Sequence, residues 1–246
     1  MQIAARQSFL TGRAGPTPWV NPYITDGLVA MWDGEWNAGG GVHDANATTW
    51  VDLSPTGADL TIESPSVGNL AWGDNRLYTV KFGTVPAYTD VAVPIPLTIE
   101  VVVAITFDSN AATLLHSKNW YYRGIAIGTT SQPNIRFGSG SSGGNGVNLS
   151  SPAPVAAYSA TFASASTSNI APNAIYVNGA VATRDASGWS GNAATPNAHQ
   201  LYLIGKERWR TLRGSLYCIR LYSRALIAAE VAANCAIDAQ RFGISA

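Results

Sequence analysis

The sequence has little charge, little cysteine and no long apolar run, and each shortage excludes a class of protein. Fifteen basic residues balance fifteen acidic residues, so the chain lacks the one-signed field that attracts nucleic acid or an anionic membrane surface. No stretch approaches the roughly 18 to 20 apolar residues that a membrane helix needs. We therefore expect no nucleic-acid partner and no membrane insertion.

The two cysteines, Cys218 and Cys235, are too few for a small scaffold that depends on disulfides. They form either one bridge or two buried free thiols. Hydrophobic residues make up 46% of the chain and include eight tryptophans. This composition supplies the apolar area for a sizeable core, so we expect a folded globular chain.

The N-terminal residues lack the apolar stretch and the small-residue cleavage site of a secretory signal, so we expect no classical signal peptide. Two glycines and three prolines between residues 12 and 22 prevent regular strand pairing. We predict that residues 1–25 form an N-terminal arm that lies along a surface or reaches a neighbour. Residues 26–246 are then one domain.

Short β-prone runs, separated by glycine, asparagine, serine and proline, predict many antiparallel strands. Thr98–Phe107 is apolar on both faces in its centre, which predicts a strand in the middle of a sheet. Glu100 in this strand is expected to be satisfied by a hydrogen bond. Asn178 and Gly179 separate two β-prone runs and predict a hairpin with a type I′ turn.

Leu201–Gly205 and Ser215–Tyr222 predict two further strands. Strict alternation in the second of these would place Tyr217, Ile219 and Leu221 on one face. The predicted buried positions of the two long strands are Val101, Val103, Ile105, Ile219 and Leu221.

Two other segments are not predicted to form strands. Ala228–Cys235 is the one stretch with helical periodicity and predicts a short helix beside the strands. Phe137–Ser151 is rich in glycine and serine and predicts a mobile loop, because it offers little apolar surface to offset the entropy of ordering.

Several segments, taken in order, carry a resemblance to a known family. They are Asp26-Gly-Leu-Val-Ala-Met-Trp-Asp33, Thr49-Trp-Val-Asp-Leu-Ser54, Thr98-Ile-Glu100, Tyr176-Val-Asn-Gly179, Ile204-Gly205, Gly214–Tyr222 and Ser223-Arg-Ala-Leu226 with Glu230. From about residue 26 to 243, the chain resembles the concanavalin A-like lectin/glucanase module, also called laminin G-like, of bacterial surface proteins and phage-encoded chains. The resemblance implies an all-β fold, a two-sheet antiparallel jelly-roll sandwich with one short C-terminal helix.

Two positions depart from the family pattern, Ile227 at the start of the helix and Cys235, where relatives often carry tyrosine. The family places threonine or serine at the start of the helix, where the hydroxyl caps the first turn. This chain has Ile227 there. The substitution should weaken the helix start by about 0.5 to 2 kcal/mol.

Hydrolytic relatives of this fold hold two carboxylates on one strand, in a Glu-x-Asp-x-x-Glu motif that this sequence lacks. The one close carboxylate pair in an apolar setting is Asp33 and Glu35, and Gly34 between them favours a turn. We therefore expect no catalytic residues and no enzyme activity.

The three histidines, His43, His116 and His199, lack the spacing of a metal site. No motif implies a cofactor. The resemblance leaves calcium as an alternative, because some family members carry it, although no acidic cluster matches a calcium-ligand pattern.

Two segments have the composition of a carbohydrate site, which needs flat aromatic rings beside polar side chains. Residues 118–123 and 207–210 each combine tryptophan with arginine. The predicted ligand-binding residues are Trp120, Tyr121, Tyr122, Arg123, Trp209 and Arg210. The alternative is that these aromatic rings pack against the core or cover a sheet edge.

Two functions are consistent with these features. The first is a non-catalytic glycan-binding or adhesive module, displayed on a phage particle or another extracellular surface. The alternative is a structural or decoration protein of a virion that binds no sugar, with the N-terminal arm contacting a virion or self-assembly partner. A glycoside hydrolase is disfavoured by the missing carboxylate motif.

Overall fold

The computed structural model describes residues 19–62, 70–79, 87–91, 96–106, 112–117, 125–129, 134–139, 145–148, 153–163, 172–183, 199–203 and 213–244. Within these residues the elements are β1 (Leu28–Asp33), β2 (Thr49–Trp50), β3 (Leu60–Ile62), β4 (Leu70–Gly73), β5 (Arg76–Thr79), β6 (Ala87–Val91), β7 (Leu97–Thr106), β8 (Ala112–Ser117), β9 (Ile125–Thr129), β10 (Asn134–Ser139), β11 (Asn145–Asn148), β12 (Ala153–Phe162), β13 (Ala174–Val177), β14 (Ala180–Val181), β15 (His199–Leu203), β16 (Arg213–Tyr222) and α1 (Ala228–Phe242).

The strands form two eight-stranded antiparallel sheets. The first sheet has the order β14-β13-β12-β7-β16-β5-β4, and β1 joins it by pairing with β16. The second sheet has the order β11-β10-β9-β8-β15-β6-β3-β2. This arrangement confirms the all-β, two-sheet jelly-roll sandwich with a single C-terminal helix among the described residues.

The main core lies between the two sheets. Alternate residues of β7 and β16 point into it, including the predicted positions Val101, Val103, Ile219 and Leu221, each at most 2% exposed. Trp50 and Phe137 fill it from the second sheet. The side chain of Ile105, also predicted to be buried, lies outside the described part of the chain. The core prediction is confirmed at the four positions that are described.

The helix α1 packs on the outer face of the first sheet, so the centre of this sheet is buried on both sides. Val102 and Tyr222 on the sheet contact the same apolar cluster as Val231 and Phe242 on the helix. This second layer explains why the centre of β7 is apolar on both faces. The buried polar side chains of Glu100 and Arg220 on that face lie against the helix, since both form hydrogen bonds with residues of α1.

The prediction for the faces of β16 was wrong at one residue. Tyr217 lies with Cys218 on the helix-covered face, whereas Ile219 and Leu221 face the other sheet. The cause is a bulge, because the pairing with β7 steps from Leu216 directly to Cys218. The extra residue in the bulge resets the alternation of side chains.

The helix is longer than predicted. Ala228–Cys235 is helical as expected, but α1 continues to Phe242. Gly243 ends it with a φ of 68°, and its N–H donates to the carbonyl of Ala239. No helix in the described residues is long and apolar enough to cross a membrane.

The start of α1 has half of a capping box. Ile227 occupies the N-cap without a side-chain hydrogen bond, as its lack of a hydroxyl requires. The carboxylate of Glu230 reaches back and accepts a hydrogen bond from the Ile227 N–H at 3.0 Å. Arg224 holds that carboxylate with two further hydrogen bonds, of 2.7 and 2.8 Å.

The predicted hairpin is confirmed. Asn178 and Gly179 connect β13 to β14 with φ angles of 50° and 79°, as a type I′ turn requires. A Cβ on Gly179 would lie 3.1 Å from the Cβ of Cys235, so the turn packs tightly on the helix. Both cysteines are buried and free.

The expected loop at residues 137–151 is partly sheet. β10 and β11 pair from Asn134 opposite Asn148 to Phe137 opposite Asn145. Phe137 is fully buried. Ile135 and Phe137 on β10 are buried in the core and anchor this hairpin, and residues 140–144 lie outside the described part of the chain.

Candidate functional site

The predicted ligand-binding residues lie outside the described part of the chain, but the strands that flank them are described. These residues are Trp120, Tyr121, Tyr122, Arg123, Trp209 and Arg210. The first segment follows β8 and the second follows β15, which pairs with β8 in antiparallel fashion. The two strands that precede these segments therefore end at opposite ends of the second sheet.

The most polar part of the described structure is a buried network beneath α1. Glu100 on β7 lies directly opposite Arg220 on β16, and Nε of Arg220 donates to Oε2 of Glu100 at 2.8 Å. The same guanidinium holds the carboxylate of Asp238 on α1, with Nη1 at 2.8 Å from Oδ1. All three side chains are at most 2% exposed. The hydrogen bond predicted for Glu100 is therefore confirmed.

A second guanidinium extends the network to the edge of the protein. Arg241 on α1 donates to both carboxylate oxygens of Asp33, at 2.7 and 2.9 Å, and to Glu35 at 2.7 Å. The hydroxyl of Tyr23 links the two halves, since it donates to Asp238 at 2.7 Å and accepts from Arg241 at 2.7 Å. The helix is thus joined to both β1 and the segment before it.

Burial and neighbouring charges shift the pKa values of the groups in this network in opposite directions. Burial raises the pKa of the Glu100 carboxyl, and the charge and hydrogen bonds of Arg220 oppose the rise. It also raises the pKa of the Asp33 carboxyl, against the hydrogen bonds and charge of Arg241. Although burial disfavours a charged guanidinium, Asp238 and its neighbours raise the pKa of Arg220 well above its usual range. The arginines therefore stay charged and each buried carboxylate has a cationic partner.

The carboxylate pair singled out in the sequence belongs to this network. Asp33 is the last residue of β1, and its Oδ1 accepts the backbone N–H groups of Glu35 and Trp36 at 3.0 and 3.3 Å. This is a turn stabilised by the aspartate side chain, as Gly34 led us to expect. Both carboxylates bind Arg241. A general acid or base must reach its substrate, and Asp33 is fully buried.

A partly exposed cluster of rings lies where this network reaches the surface. The guanidinium of Arg241 stacks on the ring of Trp36, 3.6 Å from its centroid. The ring of Trp19 meets Trp36 edge-on at 5.2 Å and lies over Gly40, where a Cβ would approach it to 2.4 Å. Residues more than 200 positions apart form this cluster, so sequence reasoning missed it.

Part of the predicted N-terminal arm packs against the folded domain. Ile24 donates its N–H to Asn234 on α1 at 3.0 Å, and Tyr23 is buried. Residues 19–25, which we assigned to the arm, thus contact the helix and the turn after β1. Residues 1–18 lie outside the described part of the chain, and the arm stays a prediction for them.

The described acidic residues do not fit a calcium ion. Asp52 is the best candidate, but its Oδ1 accepts from Met31 at 2.8 Å and Ser54 at 2.9 Å. Its Oδ2 accepts from the hydroxyls of Ser54 and Thr56 and from the N–H of Ala58. Within the described ranges no three histidine, cysteine or acidic side chains come close enough to hold a metal. Asp52 instead fixes the loop between β2 and β3.

Solved structures share this architecture at low sequence identity. Trypanosoma rangeli sialidase matches with a TM-score of 0.59 and 17% identity, over 87% of this chain and 33% of that chain. The botulinum neurotoxin serotype D binding domain matches with a TM-score of 0.63 and 11% identity, over 89% and 53%. A botulinum neurotoxin type C structure, whose cell entry depends on two ganglioside molecules, matches at 0.58 and 13%, over 87% and 52%. This chain spans a third to a half of these proteins, and the likeness shows the fold.

The sequence itself identifies the family. No curated protein sequence matches the chain. The family model for the concanavalin A-like lectin/glucanases superfamily matches residues 82–232, which is more than half of the chain and includes β7, β12, β13 and all of β16. The chain therefore belongs to the concanavalin A-like lectin/glucanase superfamily.

Proposed function

We propose that this protein is a non-catalytic glycan-binding module. The observation that carries the proposal is that this member of a lectin/glucanase superfamily shares its fold with proteins whose structures concern sugars. One such structure is a sialidase in complex with sialic acid, and another is a toxin that depends on gangliosides for cell entry. Fold alone is weaker support than a site.

The described carboxylates support a non-catalytic role. Glycoside hydrolysis needs one carboxylic acid and one carboxylate facing the sugar. Asp33, Glu100 and Asp238 are each at most 2% exposed and each is bound to an arginine beneath α1. Their contacts join the helix to the sheet, which is a structural task.

The ligand class we propose is an acidic glycan, such as one that ends in sialic acid. The two segments with site-like composition each place a tryptophan beside or near an arginine, Trp120 with Arg123 and Trp209 with Arg210. An indole ring provides a flat surface for the C–H face of a sugar. A guanidinium can bind a sugar carboxylate through two parallel hydrogen bonds.

A glycan array followed by calorimetry tests the proposal. We expect the full chain to bind a subset of acidic glycans. Because β8 and β15, the strands that precede the two segments, end at opposite ends of the second sheet, Trp120→Ala and Trp209→Ala should be tested separately, and one of them should abolish binding while thermal unfolding stays unchanged. The matched controls Trp120→Phe and Trp209→Phe retain a ring and should retain part of the affinity.

Two outcomes would contradict the proposal. Affinity that survives both alanine variants would place the sugar site elsewhere in the protein. Failure to bind any glycan on the array would overturn glycan binding altogether. It would favour the structural role on a virion or cell surface, with the N-terminal arm as the contact to a partner.

A further inference from the structure

The chain contains two Asn-x-Ser/Thr sequences, and one of them lies in an exposed turn. Asn-x-Ser/Thr, with x other than proline, is the acceptor sequence for N-linked glycans. The first is Asn46-Ala47-Thr48, between β1 and β2, and the second is Asn148-Leu149-Ser150, at the end of β11. The first also has an aspartate, Asp44, two residues before its asparagine.

The turn presents Asn46 at its tip. The Ala47 N–H donates to the carbonyl of Asp44 at 3.2 Å, which closes a β-turn with Asn46 at its third position. The side chain of Asp44 accepts the Asn46 N–H at 2.8 Å. Asn46 and Thr48 are exposed, and the structure gives neither the Asn46 carboxamide nor the Thr48 hydroxyl a hydrogen bond to any described residue.

Buried groups hold the base of this turn. The side chain of Asn37, which is fully buried, donates to the carbonyl of Asp44 and accepts its N–H, both at 2.8 Å. On the other side the indole of Trp72 donates to the carbonyl of Ala47 at 2.9 Å. The acceptor amide therefore projects from a fixed base, and a glycan attached there would extend away from the buried Asn37 and Ala47.

We propose that Asn46 is an acceptor for N-linked glycosylation by an oligosaccharyltransferase, with a lipid-pyrophosphate-linked oligosaccharide as the donor. The amide nitrogen of Asn46 attacks the anomeric carbon of the first sugar. A C–N bond forms, the bond between that carbon and the pyrophosphate oxygen breaks, the amide loses one proton to a base of the transferase, and the lipid pyrophosphate leaves. The site is independent of the proposed glycan-binding function.

The enzyme class follows from Asp44. An oligosaccharyltransferase with a cationic side chain beside its acceptor pocket would recognise an acidic group two residues before the asparagine through charge-assisted hydrogen bonds, in addition to the hydroxyl two residues after it. Asp44 is exposed and is placed to be recognised, and Thr48 supplies the hydroxyl. Asn148 has Gly146 at the corresponding position, so the same enzyme should not modify it.

The test is to export the full chain, with an added signal peptide, in a bacterial strain that carries a single-subunit oligosaccharyltransferase and its lipid-linked oligosaccharide. Intact mass and peptide mapping should show one glycan, on Asn46. Asn46→Gln and Thr48→Ala should each abolish the mass increase. Asp44→Asn keeps a side-chain oxygen for the turn but removes the charge, and should lower the modified fraction at least tenfold. Asn148→Gln should leave it unchanged.

Thermal unfolding of each variant shows whether the fold is retained, and a peptide of residues 42–50 shows whether the sequence alone is accepted. Modification of the peptide but not of the folded chain would overturn the inference, because the turn would then hide the acceptor. An unmodified peptide, or a glycan on Asn148 in place of Asn46, would also overturn it. None of these results bears on whether the unmodified chain binds glycans.

Discussion

Replacing Arg220 with methionine should remove a large part of the stability of the fold. The guanidinium is the common partner of Glu100 and Asp238, and both carboxylates are at most 2% exposed. Removing one partner of a buried ion pair costs about 3 to 5 kcal/mol, because the remaining charge has neither water nor a counter-ion. The stacking of Arg220 on Tyr23, at 4.0 Å, adds about 1 kcal/mol. Typical domains have only about 5 to 15 kcal/mol in total.

The assay is equilibrium unfolding in urea, followed by circular dichroism, for the parent chain and the variant. The loss should depend on pH with a definite sign. Without Arg220 the folded-state pKa of Glu100, already raised by burial, rises further above its unfolded value. A carboxyl whose pKa is higher in the folded state than in the unfolded state lowers the stability of the fold as the pH rises above its unfolded pKa. This loss grows until the pH reaches the folded pKa. The difference between variant and parent should therefore be larger at pH 8 than at pH 5.

A matched variant separates charge from packing. Glu100→Gln and Asp238→Asn, combined with Arg220→Met, remove both stranded charges and keep most of the hydrogen-bonding atoms. This triple variant should regain more than half of the stability that the single substitution loses. A single Arg220→Met variant within 1 kcal/mol of the parent would refute the reasoning, and so would a triple variant no more stable than the single one.

Three smaller predictions concern the helix start and the hairpin. Ile227→Thr should raise the unfolding free energy by about 0.5 to 2 kcal/mol in urea denaturation, because Ile227 is 65% exposed and a hydroxyl would complete the capping box. The hydrogen bonds from Arg224 lower the pKa of Glu230, so this group stabilises the fold above its unfolded pKa and the effect is lost on acidification. Glu230→Gln should therefore cost up to about 1 kcal/mol at pH 7, and the cost should shrink as the pH falls from the unfolded pKa through the lowered folded pKa, measured by unfolding across that range. Gly179→Ala should lower the melting temperature, because Gly179 has a positive φ and an added Cβ would lie 3.1 Å from the Cβ of Cys235, whereas Ala180→Gly at the exposed neighbouring position should change it less.

The elements that could be predicted from the sequence are those set by local rules. Thr98–Phe107 was recognised as a central strand because its apolar run has no polar face, and β7 covers Leu97–Thr106. Asn178 and Gly179 were sufficient to predict the hairpin, since few other dipeptides accept two consecutive positive φ angles. The family resemblance then supplied the architecture, which the two sheets confirm.

The features that sequence reasoning missed depend on contacts between distant residues. Tyr217 has no property that marks it as the extra residue of a bulge. The second half of α1 carries Asp238 and Arg241, and both contact partners more than 200 residues earlier in the chain. No spacing rule connects Asp33 to Arg241. The polar half of the helix could therefore be placed only once the sheet beneath it was known.

The most direct test of the central claim is to measure binding and turnover on the same sample. Isothermal titration calorimetry with the strongest acidic glycan from the array should give a saturable isotherm, which is lost in either Trp120→Ala or Trp209→Ala. Mass spectrometry of the glycan recovered after prolonged incubation should show it unchanged, as a non-catalytic module requires. A shortened glycan would contradict the account by showing hydrolysis, and the absence of any saturable heat would contradict it by showing that the protein does not bind sugar.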